Sequence, residues 1–190
     1  MQGRRKLLHE LYGIDDKKAI KVFKHVAEKM GKGLEPLEVI GCYEGNEEEK
    51  LFCAWFVGVL LGAHTQLVEP LTIMVLDRVR KSKDEDYRKQ VALDIAKDAN
   101  VEFEIVDEVL REYVKTEGRT IYSRPITNEW KKSYVWGILA GVTLQASWVG
   151  RFMNLLTFLA MVNDMSEEQL EQYLKERKNE IAEEVGRDVV

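Results

Sequence analysis

Two uncharged stretches of this chain each carry a pair of glycines four residues apart, Gly58 with Gly62 and Gly137 with Gly141. That spacing puts both glycines of a pair on one helix face. A glycine inside a helix costs roughly 1 kcal/mol relative to alanine, so two such pairs call for a compensating gain. Close approach of another helix supplies it, because a face without β-carbons lets two backbones touch. The two apolar helices are therefore expected to cross each other. Their likeness goes further. At an offset of 79 positions, residues 50–78 and 129–157 share six identities in 29: Gly58/Gly137, Leu60/Leu139, Gly62/Gly141, Gln66/Gln145, Met74/Met153 and Leu76/Leu155. Both copies read GxLxGxxxQ and run on as apolar helix. An old duplication giving a pseudo-two-fold core accounts for this; so does chance likeness between two buried helices.

The remaining sequence also reads as helix, which makes the expected fold all-α and a single compact domain over 1–190. Its basic N-terminal helices occupy 1–33. Arg4–Tyr12 closes at Gly13, a helix-stop residue. Asp15 or Asp16 then caps a helix to Met30, with an apolar stripe of Ala19, Val22, Phe23, Val26, Ala27 and Met30 at the 3.6-residue period. Residues 34–46 hold Pro36, Gly41 and Gly45 and read as a connection with at most one helical turn. Repeat-like apolar hairpins are expected over 47–80 and 127–162. In the first, Glu47–Glu49 suit a helix N-terminus and Pro70 suits the first turn of a helix over Leu71–Arg80. A helix pair follows over 84–114. Lys115–Tyr122 reads as a loop or a small hairpin about Glu117-Gly118. Ser166 with Gln169 forms a capping-box pattern that opens a charged helix over 166–186.

Charge is unevenly spread. Residues 1–33 carry nine Lys/Arg against four acids, a balance of +5, so the rest of the chain stands at −10 for a net −5. A basic end on an acidic body implies an acidic partner or docking of one end on the other. The candidate nucleic-acid contacts are Arg4, Arg5, Lys6, Lys17, Lys21 and Lys24, which would bind phosphate without reading bases.

The segment Ala92–Arg111, ALDIAKDANVEFEIVDEVLR, places small Ala96 and Ala99 where two helices come close. Asn100 stands where the turn needs a left-handed backbone, and Val101, Val106 and Val109 pack back on Ile95 and Ala96. These residues resemble the helix-turn-helix of lac-repressor-type DNA-binding proteins over about 20 positions and no further. The resemblance implies that the second helix enters the major groove. Here the outward positions of that helix are expected to be Glu102, Glu104, Asp107, Glu108 and Glu112, and carboxylates repel the phosphates that normally dominate affinity.

Little else points to chemistry. Cys42 and Cys53 form no CxxC or Cys/His cluster, so no metal site is expected. No Gly-rich phosphate loop is present, so no cofactor is expected. Three histidines, His9, His25 and His64, give no nucleophile–base pair and no catalytic residue. Glu167, Glu168, Glu171, Glu180 and Glu183 resemble the acidic motifs of all-α nucleotide pyrophosphohydrolases. The interleaved Lys175, Arg177 and Lys178 favour solvent-facing pairs instead. Between the repeat helices, His64, Gln66, Thr143, Gln145, Trp148, Arg151 and Asn154 are candidates to line a small-molecule pocket. Ser133–Gly150 is 18 residues without charge, at the spanning threshold, but its polar residues favour a buried core helix over a membrane span. The N-terminal MQGRRKLLHELYG carries no secretory signal, so a cytoplasmic protein with free thiols is expected. Its many Glu and Lys resemble thermophile composition, in which a Cys42–Cys53 disulfide is admissible. The leading expectation is a non-enzymatic interaction or regulatory protein working through helix packing, with a protein partner or as a homodimer. Nucleic-acid binding through the N-terminus, and ligand sensing or catalysis between the repeat helices, are the rivals.

Overall fold

The computed structural model describes residues 8–63, 72–118, 129–147 and 157–187. The fold is all-α, and no strand occurs among these residues. A 3-10 turn over Leu8–Tyr12 leads into α1, Asp16–Gly31. Asp15 caps α1 by accepting from the Lys18 amide at 2.9 Å, and Ala19, Ile20, Val22, Phe23, Val26 and Ala27 are buried. α2, Pro36–Gly41, is longer than the single turn expected of this connection. Proline at its first position is pre-set for a helix, and the Glu35 amide donates to Glu38 Oε2 at 3.0 Å. α3 spans Glu47–Ala63, its start capped by Asn46. Every residue from Leu51 to Ala63 is buried, as for a helix apolar on all sides.

α4 runs Ile73–Lys81, starting after the expected Leu71 because Thr72 caps it. α5, Glu85–Ala99, is capped by Asp84 and ends at Asn100 with φ 54° and ψ 45°, the left-handed conformation expected there. α6 is Phe103–Lys115 and α7 is Trp130–Ser147. Residues 157–162 are helical. Ser166 and Gln169 then exchange amide-to-side-chain hydrogen bonds in the expected capping box, opening α8, Glu167–Arg187.

α3 and α7 form the centre, and their glycines decide how. A β-carbon at Gly58 would fall on the Tyr134 carbonyl oxygen and 2.9 Å from Gly137 Cα. One at Gly137 would fall on the Trp55 carbonyl oxygen and 3.0 Å from Gly58 Cα. Gly62 meets Ile138 in the same way that Gly141 meets Val59. The helices are parallel, and exchanging the two copies turns each contact into its mate. This is a local two-fold axis, with backbone touching backbone and α-hydrogens directed at carbonyl oxygens.

The two-fold extends outward. α1 packs on α3 as α6 packs on α7, and α8 covers α1 as α5 covers α6, while α4 packs on α6 and α7. The backbone repeats at a second constant offset of 87 residues. Gly13 and Asn100 are both left-handed. The Ile14 amide donates to the His9 carbonyl as the Val101 amide donates to the Ala96 carbonyl. Asp15 and Glu102 are both N-cap residues. Ala19/Val106, Val22/Val109, Phe23/Leu110 and Val26/Tyr113 are buried in matching order. The same left-handed turn and cap therefore precede both α1 and α6.

Candidate functional site

The outer face of α6 and the outer face of α1 are charged surfaces of this frame. On α6, Glu102, Glu104, Glu108 and Glu112 are exposed, as expected. Asp107 is not. Its side chain is 7% exposed and lies between two arginines, with Arg88 Nε 3.4 Å from Oδ1 and Arg111 donating to Oδ2 at 2.8 Å. The position sits at the edge of the apolar stripe, and Arg88 reaches it from α5. The expectation that Asp107 faces outward is therefore corrected: it fastens the helix pair from inside. A carboxylate this deep needs its cations, because an unpaired buried charge is expensive.

Two of the outward carboxylates are matched by the first turn of α7. Lys131 donates to Glu102 at 2.6 Å, and Lys132 donates to Glu108. Each hydrogen bond from a lysine holds its carboxyl below the usual range. Glu104 and Glu112 have no side-chain hydrogen bond or ion pair among the described residues. The face thus already binds ammonium groups at two positions and leaves two carboxylates open.

The lysines expected to meet nucleic acid divide. Lys24 donates to the Met165 carbonyl at 2.8 Å, tying α1 to the turn before α8. Lys21 lies 3.7 Å from Glu49 and above the Tyr43 ring, and remains 57% exposed. Lys17 borders an open groove shared with Glu167, Glu168 and Glu171 of α8. Part of the basic end is therefore docked on the acidic remainder. Arg4, Arg5 and Lys6 lie outside the described residues. So do His64, Gln66, Trp148, Arg151 and Asn154 of the candidate pocket, and the side chain of Gln145 is not described either. Thr143 donates its hydroxyl to the Leu139 carbonyl of its own helix at 2.9 Å.

One charged cluster is invisible to sequence reasoning. His9 is 2% exposed, and its Nε2 lies 2.8 Å from Asp16 Oδ1. Lys178 of α8 donates to both Asp16 oxygens at 2.9 and 3.1 Å and lies 3.1 Å from Glu10. Burial lowers the His9 pKa despite the Asp16 carboxylate, so the neutral ring donates from Nε2. For Asp16, burial pushes upward, but the hydrogen bonds from Lys178 and His9 prevail and hold the carboxyl low. The cluster joins α8 to the N-terminus. His9 and Asp16 stand seven residues apart, a spacing that shares a face only in a continuous helix, and the left-handed Gly13 breaks the chain between them.

His25 and Cys42 come within 3.8 Å, yet they do not make a nucleophile and base. His25 Nε2 already donates to the Val39 carbonyl at 2.7 Å, so that nitrogen carries the proton. The Cys42 thiol itself donates to the same Val39 carbonyl at 3.6 Å. Cys53 is buried in α3, which pushes its thiol up to about 12, and both cysteines are free. No group of three or more His, Cys, Asp or Glu among the described residues is placed to hold a metal ion. No helix among them is long and apolar enough to cross a membrane. No protein-family model, curated protein or solved structure matches this chain.

Proposed function

We propose that this chain is an interaction protein that meets a basic protein partner through the outer face of α6. The observation that carries the reading is the occupancy of that face. Glu102 and Glu108 already hold lysine ammonium groups of α7, while Glu104 and Glu112, on the same exposed surface, hold none among the described residues. Carboxylates at every fourth position form a stripe along a helix, and a helix with lysines at that period complements it. Such contact gives on-rate and specificity more than raw affinity. A fluorescein-labelled helical peptide with lysines at every fourth residue tests the reading by anisotropy. Binding is expected for the wild type and is expected to be lost in Glu104→Lys with Glu112→Lys. A wild type that ignores the peptide, or a variant that binds it equally, overturns the reading.

Lys17 and Lys18, exposed and without side-chain partners among the described residues, favour a second reading, nucleic-acid binding by α1. It requires anisotropy with labelled DNA or RNA to fall by orders of magnitude between about 50 and 200 mM salt, as counterion release demands. Salt-insensitive or absent binding removes it.

A further inference from the structure

We propose that the basic outer face of α1 docks on the acidic outer face of α6 in a second copy of this chain, so that copies associate head to tail. This rests on the reading of α6 as a docking face and names its partner. The constant offset that matches the caps and buried residues of α1 and α6 also matches their outward residues. It sets Lys17 with Glu104, Lys21 with Glu108 and Glu28 with Lys115. All six are exposed, and in all three pairs the sign is reversed.

Several inward equivalents, by contrast, keep their character, Val22 with Val109 and Phe23 with Leu110, though Ile20 is matched by the buried Asp107. At these three pairs the helix surface is built twice in one register with opposite charge, while Lys24 with Arg111 and the cap residues Asp15 with Glu102 keep their sign. Two such helices laid side by side in parallel bring each of these charges against its opposite. Pairing α1 with α1, or α6 with α6, in that register sets like charges together and is disfavoured. Association of unlike faces is heterologous, giving rings or open chains of copies.

The present partners of these residues do not block docking. Glu28 with Lys32 is exposed on both sides, and Glu108 is more than half exposed beside Lys132. Exposed pairs contribute little and exchange readily. Lys21 is 57% exposed and 3.7 Å from Glu49, a buried carboxylate that also accepts from the Tyr43 hydroxyl at 3.0 Å, so Lys21 has to dock without leaving it. Glu167, Glu168 and Glu171 flank Lys17, so Lys21 is the better-placed contact of the two lysines. A single helix face buries less area than a standard stable interface, so the association is weak and depends on salt.

Sedimentation of the full chain tests this. At about 50 mM salt the weight-average mass is expected to rise with concentration, and at about 500 mM, where charges are screened over a few ångströms, it is expected to return to the monomer. Lys17→Glu with Lys21→Glu makes both faces acidic; Glu104→Lys with Glu108→Lys makes both basic. Each double variant alone is expected to stay monomeric. An equimolar mixture of the two is expected to associate, because each then supplies the face the other lacks, and this recovery also shows that both are folded. A wild type that is monomeric at low salt, association that survives either reversal, or a mixture that stays monomeric overturns the inference. A wild type that binds the lysine peptide yet never self-associates removes the second copy as partner and leaves the docking face standing. Failure of both experiments removes both.

Discussion

Replacing Gly58 with alanine strikes a backbone contact that no side-chain movement can relieve. The added carbon would lie 2.9 Å from Gly137 Cα and on the Tyr134 carbonyl oxygen. Ordinary carbon–carbon contact is about 3.5–4.0 Å, so the helices must part by roughly 1 Å, and a gap of that size forfeits a quarter to a half of each dispersion well along the seam. Overpacking of this kind costs about 3 kcal/mol when nothing flexible can yield. Alanine returns roughly 1 kcal/mol of helix propensity. The net loss is about 2 kcal/mol, or about 4–8 °C in Tm for a chain of this length. Urea unfolding followed by far-UV circular dichroism measures it. Gly137→Ala is expected to lose the same amount, because the two-fold gives it the same neighbours. The two losses together are expected to be less than additive, since the helices part only once. Gly41→Ala is the control: nothing lies within 4 Å of its added carbon, and little or no loss is expected. A Gly58→Ala variant as stable as the wild type would refute the reasoning.

Three further outcomes follow from the charged contacts. Asp107→Ala leaves Arg88, 15% exposed, without its carboxylate and is expected to cost about 3 kcal/mol; a loss under about 1 kcal/mol in urea unfolding contradicts the buried pair. Asp15→Ala removes the cap of α1 and is expected to cost about 1 kcal/mol, with Asp15→Asn nearly neutral; equal losses in the two variants would mean the cap is not the cause. His9 has a folded pKa below its ordinary 6.5, so below that pH the unfolded chain binds more protons and stability falls as pH drops. Urea midpoints at pH 5 and 7 are expected to differ less in His9→Gln, which keeps the donor to Asp16 but does not titrate; an unchanged difference assigns the pH dependence elsewhere.

The parts of this fold that were legible in the sequence are those fixed by local chemistry. Asp15, Asn100 and Ser166 occupy the caps and turn that their side chains or backbone tolerance suit. The paired glycines foretold the crossing of α3 and α7, since no other role compensates two glycines on an apolar helix face. Its parallel sense and register were not legible, because glycine spacing is the same read in either direction. The second offset was hidden for a related reason. Between 8–31 and 95–118 it preserves one left-handed turn, the N-cap and the burial order, while only Val22/Val109 and Gly31/Gly118 keep their residue type. Of the candidate site, the outward glutamates of α6 were legible from helical spacing. The inward turn of Asp107 was not, because its cation comes from α5. His9 meets Asp16 across the turn at Gly13, and Lys178 joins them only through the docking of α8 on the N-terminal segment, a contact that spacing along one helix cannot show.

The in-register crossing carries the two halves, and with them the oppositely charged faces. Nuclear Overhauser effects between glycine α-protons test it most directly, in full-length protein labelled with carbon-13 at glycine alone. The account predicts cross-peaks joining Gly58 to Gly137 and Gly62 to Gly141. Cross-peaks joining Gly58 to Gly141 and Gly62 to Gly137 would mean antiparallel helices, and no glycine–glycine cross-peak would mean no close crossing; either result contradicts the account.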